Sequence, residues 1–162
     1  MPLWKRLLLN VYYHGSLPIR WMQRRAYVLA GRMPVVVLFY HRVADDFGDG
    51  WTVSNQTFAR QILWLKRHFE LISLADAQRI IRSGENQRAC VSITFDDGYA
   101  DNCHAAIPLL VKEHVPCTYF VTARNVLDNV PFPHDVAAGR PLPPNSLDQL
   151  RAMADAGIEI AA

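Results

Sequence analysis

The chain has 162 residues, 51% of them hydrophobic and 20% charged, with a formal net charge of +2. That length supports one domain with a sizeable core, and that composition excludes a disordered tail. Three cysteines, Cys90, Cys103 and Cys117, are few, odd in number and without CxxC spacing. They speak against a disulfide framework or a cysteine zinc knuckle and for a reducing compartment.

The charge is unevenly spread. Residues 1–34 hold six of the 17 bases (Lys5, Arg6, Arg20, Arg24, Arg25, Arg32) and none of the 15 acids, so this head carries +6 and the rest −4. Residues 1–33 read as a basic, aromatic N-terminal arm and residues 34–162 as the domain proper. The apolar stretch after Arg6 is interrupted by Asn10, His14 and Pro18, which suits neither a signal peptide nor a membrane span. Trp4, Tyr12, Tyr13, Trp21 and Tyr27 interleave with the arginines. Such an arm either packs on the domain or lies on an anionic membrane surface. The location expected is cytoplasmic, or peripheral on the inner membrane face. No helix-turn-helix or zinc-finger spacing points to nucleic acid.

From Met33 onward strand and helix signals alternate. VVVLFYHRV (35–43) follows Pro34 as a β-branched and aromatic run, the pattern of a buried parallel strand. DDFGDG (45–50) is a turn-rich loop. Ser54 caps a helix running to about His68, with Phe58, Ile62 and Leu65 at i, i+4 and i+7. FELIS (69–73) is a short strand, and LADAQRIIR a short helix closed by Gly84. ACVSITF (89–95) is a central strand. Asp101 is placed to cap the following helix, which Pro108 kinks or restarts. CTYFVTA (117–123) is another strand, and the stretch with Pro131, Pro133, Pro141, Pro143 and Pro144 reads as irregular loop. Ser146 and Gln149 fit a capping box, Gly157 ends that helix, and GIEIAA begins a fifth strand. The alternation predicts an α/β fold of parallel strands with its chemistry at their C-terminal ends. The chain stops inside a strand, so the expectation is an incomplete domain.

VSITFDDGY (91–99) carries the sharpest chemical signal, because a core strand ends in two adjacent carboxylates. Like charges that close disfavour each other unless a cation, a metal or water intervenes. Successive strand residues face opposite ways, so Asp96 and Asp97 converge on one site only if the backbone bends there, and Gly98 permits the bend. One carboxylate then suits a divalent metal and the other a metal-activated water. The plain alternative is an exposed turn with solvated acids.

SITFDDGYADN, with PCTYFV downstream, resembles the polysaccharide deacetylases of the NodB-homology family. VVVLFYHRV, FARQILWLKRHF and FELISLADA are similar to the poly-N-acetylglucosamine deacetylase branch, and SLDQLRAMADAGIEIAA to the segment leading into that family's zinc histidines. The resemblance covers residues 34–162 and leaves out the basic arm. It implies a partial distorted (β/α)7 TIM-like barrel, truncated after about five strands, from a metal-dependent amidohydrolase. The substrate implied is an N-acetylated amino-sugar polymer or glycoconjugate, and the cofactor a divalent metal, zinc first. Carried over residue by residue, Asp96 becomes the general base and Asp97 the metal ligand.

The family's H-[ST]-x-x-H ligand pair is expected just beyond Ala162. None of His14, His41, His68, His104, His114 and His134 forms an i, i+4 pair, so no resident histidine takes that role by spacing. His41, at the end of the first strand, and His104, after the aspartates, are the remaining cleft candidates, with Tyr40 and Arg42 behind them. The 162-residue chain alone is therefore expected to be inactive. One rival is a phosphoacceptor receiver domain, but CTYFVTARN offers no aspartate at the next strand end. Another is a non-catalytic fragment or split gene product of deacetylase origin acting as a binding module.

Overall fold

The computed structural model describes residues 2–162. Five parallel strands make one sheet: β1 (Val35–Tyr40), β4 (Glu70–Leu71), β5 (Cys90–Phe95), β6 (Cys117–Phe120) and β7 (Glu159–Ala161). The order is β1-β5-β6-β7, with β4 on the first two residues of β5. A second, parallel pair joins β2 (Arg42–Val43) to β3 (Thr52–Val53). The sheet is not closed, in keeping with the partial barrel expected from the sequence.

All six residues of β5 are buried. Alternation sends Val91, Ile93 and Phe95 into the main core, where they meet Phe58, Ile62 and Leu65 of helix α3 (Asn55–His68). Ser92, Thr94 and Asp96 take the opposite face. On the core side Tyr40, Phe95 and Tyr119 are partners in register across three strands, and their rings stack at 5.5 Å spacing. This aromatic row is the last registered layer of β5 before Asp96.

Local chemistry explains most elements. The Ser54 side chain accepts from the Thr57 amide at the start of α3, and Gly84 closes α4 (Leu74–Ser83) in a left-handed conformation. Ser146 and Gln149 form the reciprocal capping box that opens α8 (Leu147–Asp155).

Three expectations change. Strand β1 is half exposed, not buried, because it pairs with β5 alone and forms an edge of the sheet. Asp101 caps nothing: its carboxylate accepts from Arg42 instead, and a 3-10 turn (Ala100–Cys103) precedes a fresh helix α5 (Ala106–Lys112). The proline-rich stretch is not all irregular. Pro133 occupies the first turn of α7 (Pro133–Ala137), where a missing N–H costs nothing, just after the unpredicted α6 (Ala123–Asp128). The arm folds as two helices, α1 (Leu3–Gly15) and α2 (Leu17–Leu29); neither buries a residue, and α2 borders a shallow pocket shared with Trp64, His68 and Phe69.

Candidate active site

The site begins with a turn. After β5 the chain adopts φ +70° at Asp97 and +92° at Gly98, so the bend assigned to glycine alone is shared by an aspartate in the left-handed region. The Gly98 amide donates to the Asp96 carbonyl at 2.9 Å, closing a tight turn around Asp97. Three neighbours lock it. The Asp96 amide donates to Tyr40 O at 2.8 Å, Thr122 N to Asp97 O at 3.0 Å, and Asn145 N to Gly98 O at 2.8 Å. Held from β1, from the end of β6 and from the entry to α8, the two carboxylates have a fixed position at the C-terminal rim of the sheet.

His41 stands beside them, with Nε2 at 3.8 Å from Asp97 Oδ2. Its ring contacts Trp51 at 4.8 Å between centroids. Burial raises the pKa of Asp96, opposed by His41 and reinforced by the Asp97 carboxylate. A carboxylate so placed holds a proton more tightly than one in water.

His41, Asp97, Trp51, Tyr99, His134 and Asp135 face a common cleft of about 300 Å³. Tyr99 Oη and His134 Nε2 are 2.9 Å apart. Burial, then the Asp135 carboxylate, push the Tyr99 phenol well above its usual range. Asp135 is buried, and among the described residues its Oδ2 has no hydrogen-bond partner. Asp49 shapes the rim by accepting from the Trp51 amide at 2.8 Å.

A buried polar layer supports this cleft from below. Asn102, with no exposed surface, accepts from Val43 N at 2.8 Å and donates to His41 O at 2.8 Å and to Tyr119 Oη at 3.0 Å. Arg42 is 2% exposed and donates to Asp101 at 2.6 Å and to the Asp46 carbonyl at 2.9 Å. Burial opposes its charge, but the Asp101 and Asp46 carboxylates outweigh that and raise its pKa. Arg42 is thus a strut beneath the rim.

Of the six side chains singled out from the sequence, Asp96, Asp97 and His41 come together and Arg42 borders the same cleft, whereas Tyr40 donates to Gln61 instead. His104 does not join them. It follows the 3-10 turn, is exposed, and is absent from the cleft lining. Sequence reasoning missed Trp51, Tyr99, His134 and Asp135. Tyr99 directly follows the DDG motif and was within reach, whereas α7 carries His134 and Asp135 across from a loop that has no periodicity to read.

The metal implied by the family resemblance finds no full ligand set among these residues. Among the described residues no three His, Cys, Asp or Glu side chains gather to hold an ion. Asp97 and His41 make two, while a catalytic zinc site takes three protein ligands and a water. This set does not complete a metal centre.

Comparison with known proteins decides the family. The polysaccharide deacetylase family model matches residues 83–162, the stretch that contains β5, the aspartate turn and α8. This segment belongs to the polysaccharide deacetylase family. This chain is 26% identical to IcaB from Ammonifex degensii, with a TM-score of 0.64 over 79% of this chain and 51% of that one. A de-N-acetylase from Aggregatibacter actinomycetemcomitans is 25% identical, with a TM-score of 0.64 over 78% of this chain and 53% of that one. The poly-beta-1,6-N-acetyl-D-glucosamine N-deacetylase of Staphylococcus epidermidis is 29% identical over 106 residues, 56% of this chain and 37% of that protein. This chain spans about a third of the length of the curated relatives it matches, 32% and 37%.

Proposed function

We propose that this site serves a hydrolase of carbon–nitrogen bonds other than peptide bonds, which removes N-acetyl groups from an amino-sugar polysaccharide or glycoconjugate. One observation carries the reading: two adjacent carboxylates at a left-handed turn at the C-terminal end of β5, of which Asp97 stands beside His41 and lines an aromatic cleft. The Staphylococcus epidermidis relative is named for poly-beta-1,6-N-acetyl-D-glucosamine, and we assign a substrate of that class.

Hydrolysis of an acetamide requires a water that loses its proton as it attacks, and general-base removal typically costs about 10²–10⁴-fold. Asp96, desolvated and so more basic, takes that proton. The exposed face of Trp51 offers apolar contact to a sugar ring, and Tyr99 and His134 offer hydrogen bonds to its hydroxyls. Asp97 is assigned to a divalent metal, zinc first. With its remaining ligands supplied, such an ion would contribute Lewis-acid chemistry to the site.

Asp97 with one neighbour is too small a ligand set, so in this reading the 162-residue chain alone binds zinc weakly and turns over nothing above background. A non-catalytic binding module of deacetylase origin is the second reading, favoured by the same missing ligands. Zinc calorimetry with an acetate-release assay on N-acetylglucosamine oligomers separates the two readings. Stoichiometric nanomolar zinc with acetate release from this chain overturns the claim of incompetence. In a chain that supplies the remaining ligands, chelation should abolish release and zinc or cobalt restore it. There Asp97→Asn should lose both metal and rate, while Asp96→Asn should lose rate and keep metal. Undiminished release in excess chelator would refute the metal assignment.

A further inference from the structure

Helices α1 and α2 bury none of their side chains. On α1, Leu3, Trp4, Leu7, Leu8, Val11 and Tyr12 fall at i, i+1, i+4, i+5, i+8 and i+9, which gathers them on one stripe. Each is more than half exposed. Six large apolar groups facing water on one helix are an interaction surface in want of a partner.

Charge selects the partner. All six ionic side chains of residues 1–34 are cations, among them Arg24 and Arg25 of α2. Lys5 lies over the Trp4 ring at 5.4 Å and Arg25 over Trp21 at 4.9 Å, so cations and aromatic rings share one surface. A second copy of the arm would set these cations against each other. Nucleic acid would satisfy the cations but leave the leucine stripe in water. An anionic bilayer interface takes both, with hydrocarbon for the stripe and phosphate for the bases.

We propose that α1 and α2 dock the protein on an anionic phospholipid bilayer, lying along the headgroup plane. Each helix has 13 residues and is therefore about 20 Å long, short of the roughly 30 Å hydrocarbon core. Among the described residues no helix is long and apolar enough to cross a membrane. The arm leads into the N-terminal end of β1, while Asp96 and Asp97 stand beyond the C-terminal end of β5, which pairs with β1 along six residues. Arm and cleft are thus at opposite ends of the strands, about 20 Å apart, leaving the cleft clear of the lipid. The proposal does not depend on turnover, so its test is separate from that of the hydrolase.

The test is flotation of the whole chain with vesicles of phosphatidylcholine, with and without about one-third phosphatidylglycerol, at low and high salt. Binding should favour the anionic vesicles at least tenfold and weaken with salt. Arg24→Glu with Arg25→Glu should cut it more than tenfold, since each cation near such a surface is worth roughly fivefold. Leu7→Glu with Leu8→Glu should cut it comparably, and low salt should not restore it. Both pairs are exposed, so unchanged circular dichroism is expected and checks the fold. Equal binding to neutral and anionic vesicles, or none to either, overturns the proposal. So does binding to a duplex oligonucleotide that survives the Leu7 and Leu8 changes, or a loss of self-association in their place.

Discussion

At Gly98 a Cβ would stand 3.0 Å from Val121 Cγ1 and 3.2 Å from Val121 Cβ, on a backbone whose φ is +92°. Gly98→Ala combines the left-handed penalty for an L residue with this clash, so we expect a loss of about 2 kcal/mol in urea unfolding. Adding Val121→Ala should recover the steric part and leave the conformational part, a non-additivity that a double-mutant cycle reads directly. Asn102 makes a different case, because its amide satisfies groups of His41 and Val43 that flank Arg42. Asn102→Ala leaves Val43 N and His41 O unpaired in the interior, at about 1–3 kcal/mol each. The expected result is a lowered denaturation midpoint with an unchanged slope. A midpoint within error of wild type would show that water replaces the amide.

Two elements lend themselves to separate tests. Helix α8 packs Leu150 and Met153 against the core, and its first turn depends on the Ser146–Gln149 box. Ser146→Ala should cost about 1 kcal/mol in stability, and Gln149→Ala less, because the hydroxyl cap remains. Strand β6 is expected to make the protein sensitive to alkali. Burial pushes the Cys117 thiol up to about 12, with Glu159 adding to the shift. Burial also pushes the Tyr119 phenol far above its usual range, though the Asn102 hydrogen bond opposes it. A folded pKa above the unfolded one means that the native state holds the proton more tightly. The associated stability is complete below the unfolded pKa and is lost as pH rises towards the folded one. For Cys117 that window runs from the ordinary thiol value of 9.0 to about 12, at roughly 1.4 kcal/mol per pH unit. Cys117→Ala should flatten the loss between pH 9 and 10, measured by urea midpoints across pH. An unchanged slope would remove the thiol as its cause.

At the scale of the whole molecule, the open sheet dominates behaviour. Strand β1 pairs on one side only, and its Val37 and Phe39 are 42% and 58% exposed. These residues sit opposite Ser92 and Thr94 in register, on the face away from α3. An unpaired edge beside exposed apolar groups promotes association with another chain. Phe39→Ser should therefore lower concentration-dependent light scattering while changing stability by less than about 0.5 kcal/mol. If scattering persists unchanged in this variant yet falls with Leu7→Glu and Leu8→Glu, the arm and not the edge governs association.

Much of this was legible in the chain itself. Periodicity and caps are local, so the spacing of Phe58, Ile62 and Leu65, the Ser54 and Ser146 caps, and Gly84 could be read directly. The strand ending in Asp96 and Asp97 was equally plain, since a buried β-branched run meeting two acids and a glycine has few uses. The rest depended on partners distant in sequence. Nothing in VVVLFY tells that one edge stays unpaired, because that is set by which strands lie alongside. Asp101 looked like a cap until Arg42, 59 residues away, took its carboxylate in the fold. His134 and Asp135 enter the cleft because a proline-started helix carries them over Tyr99, a long-range contact that no local pattern encodes. The sequence by itself determined the strand–turn–helix chemistry at residues 91–99. Only the tertiary structure decided which distant side chains face those aspartates, because burial and proximity are properties of the packed chain.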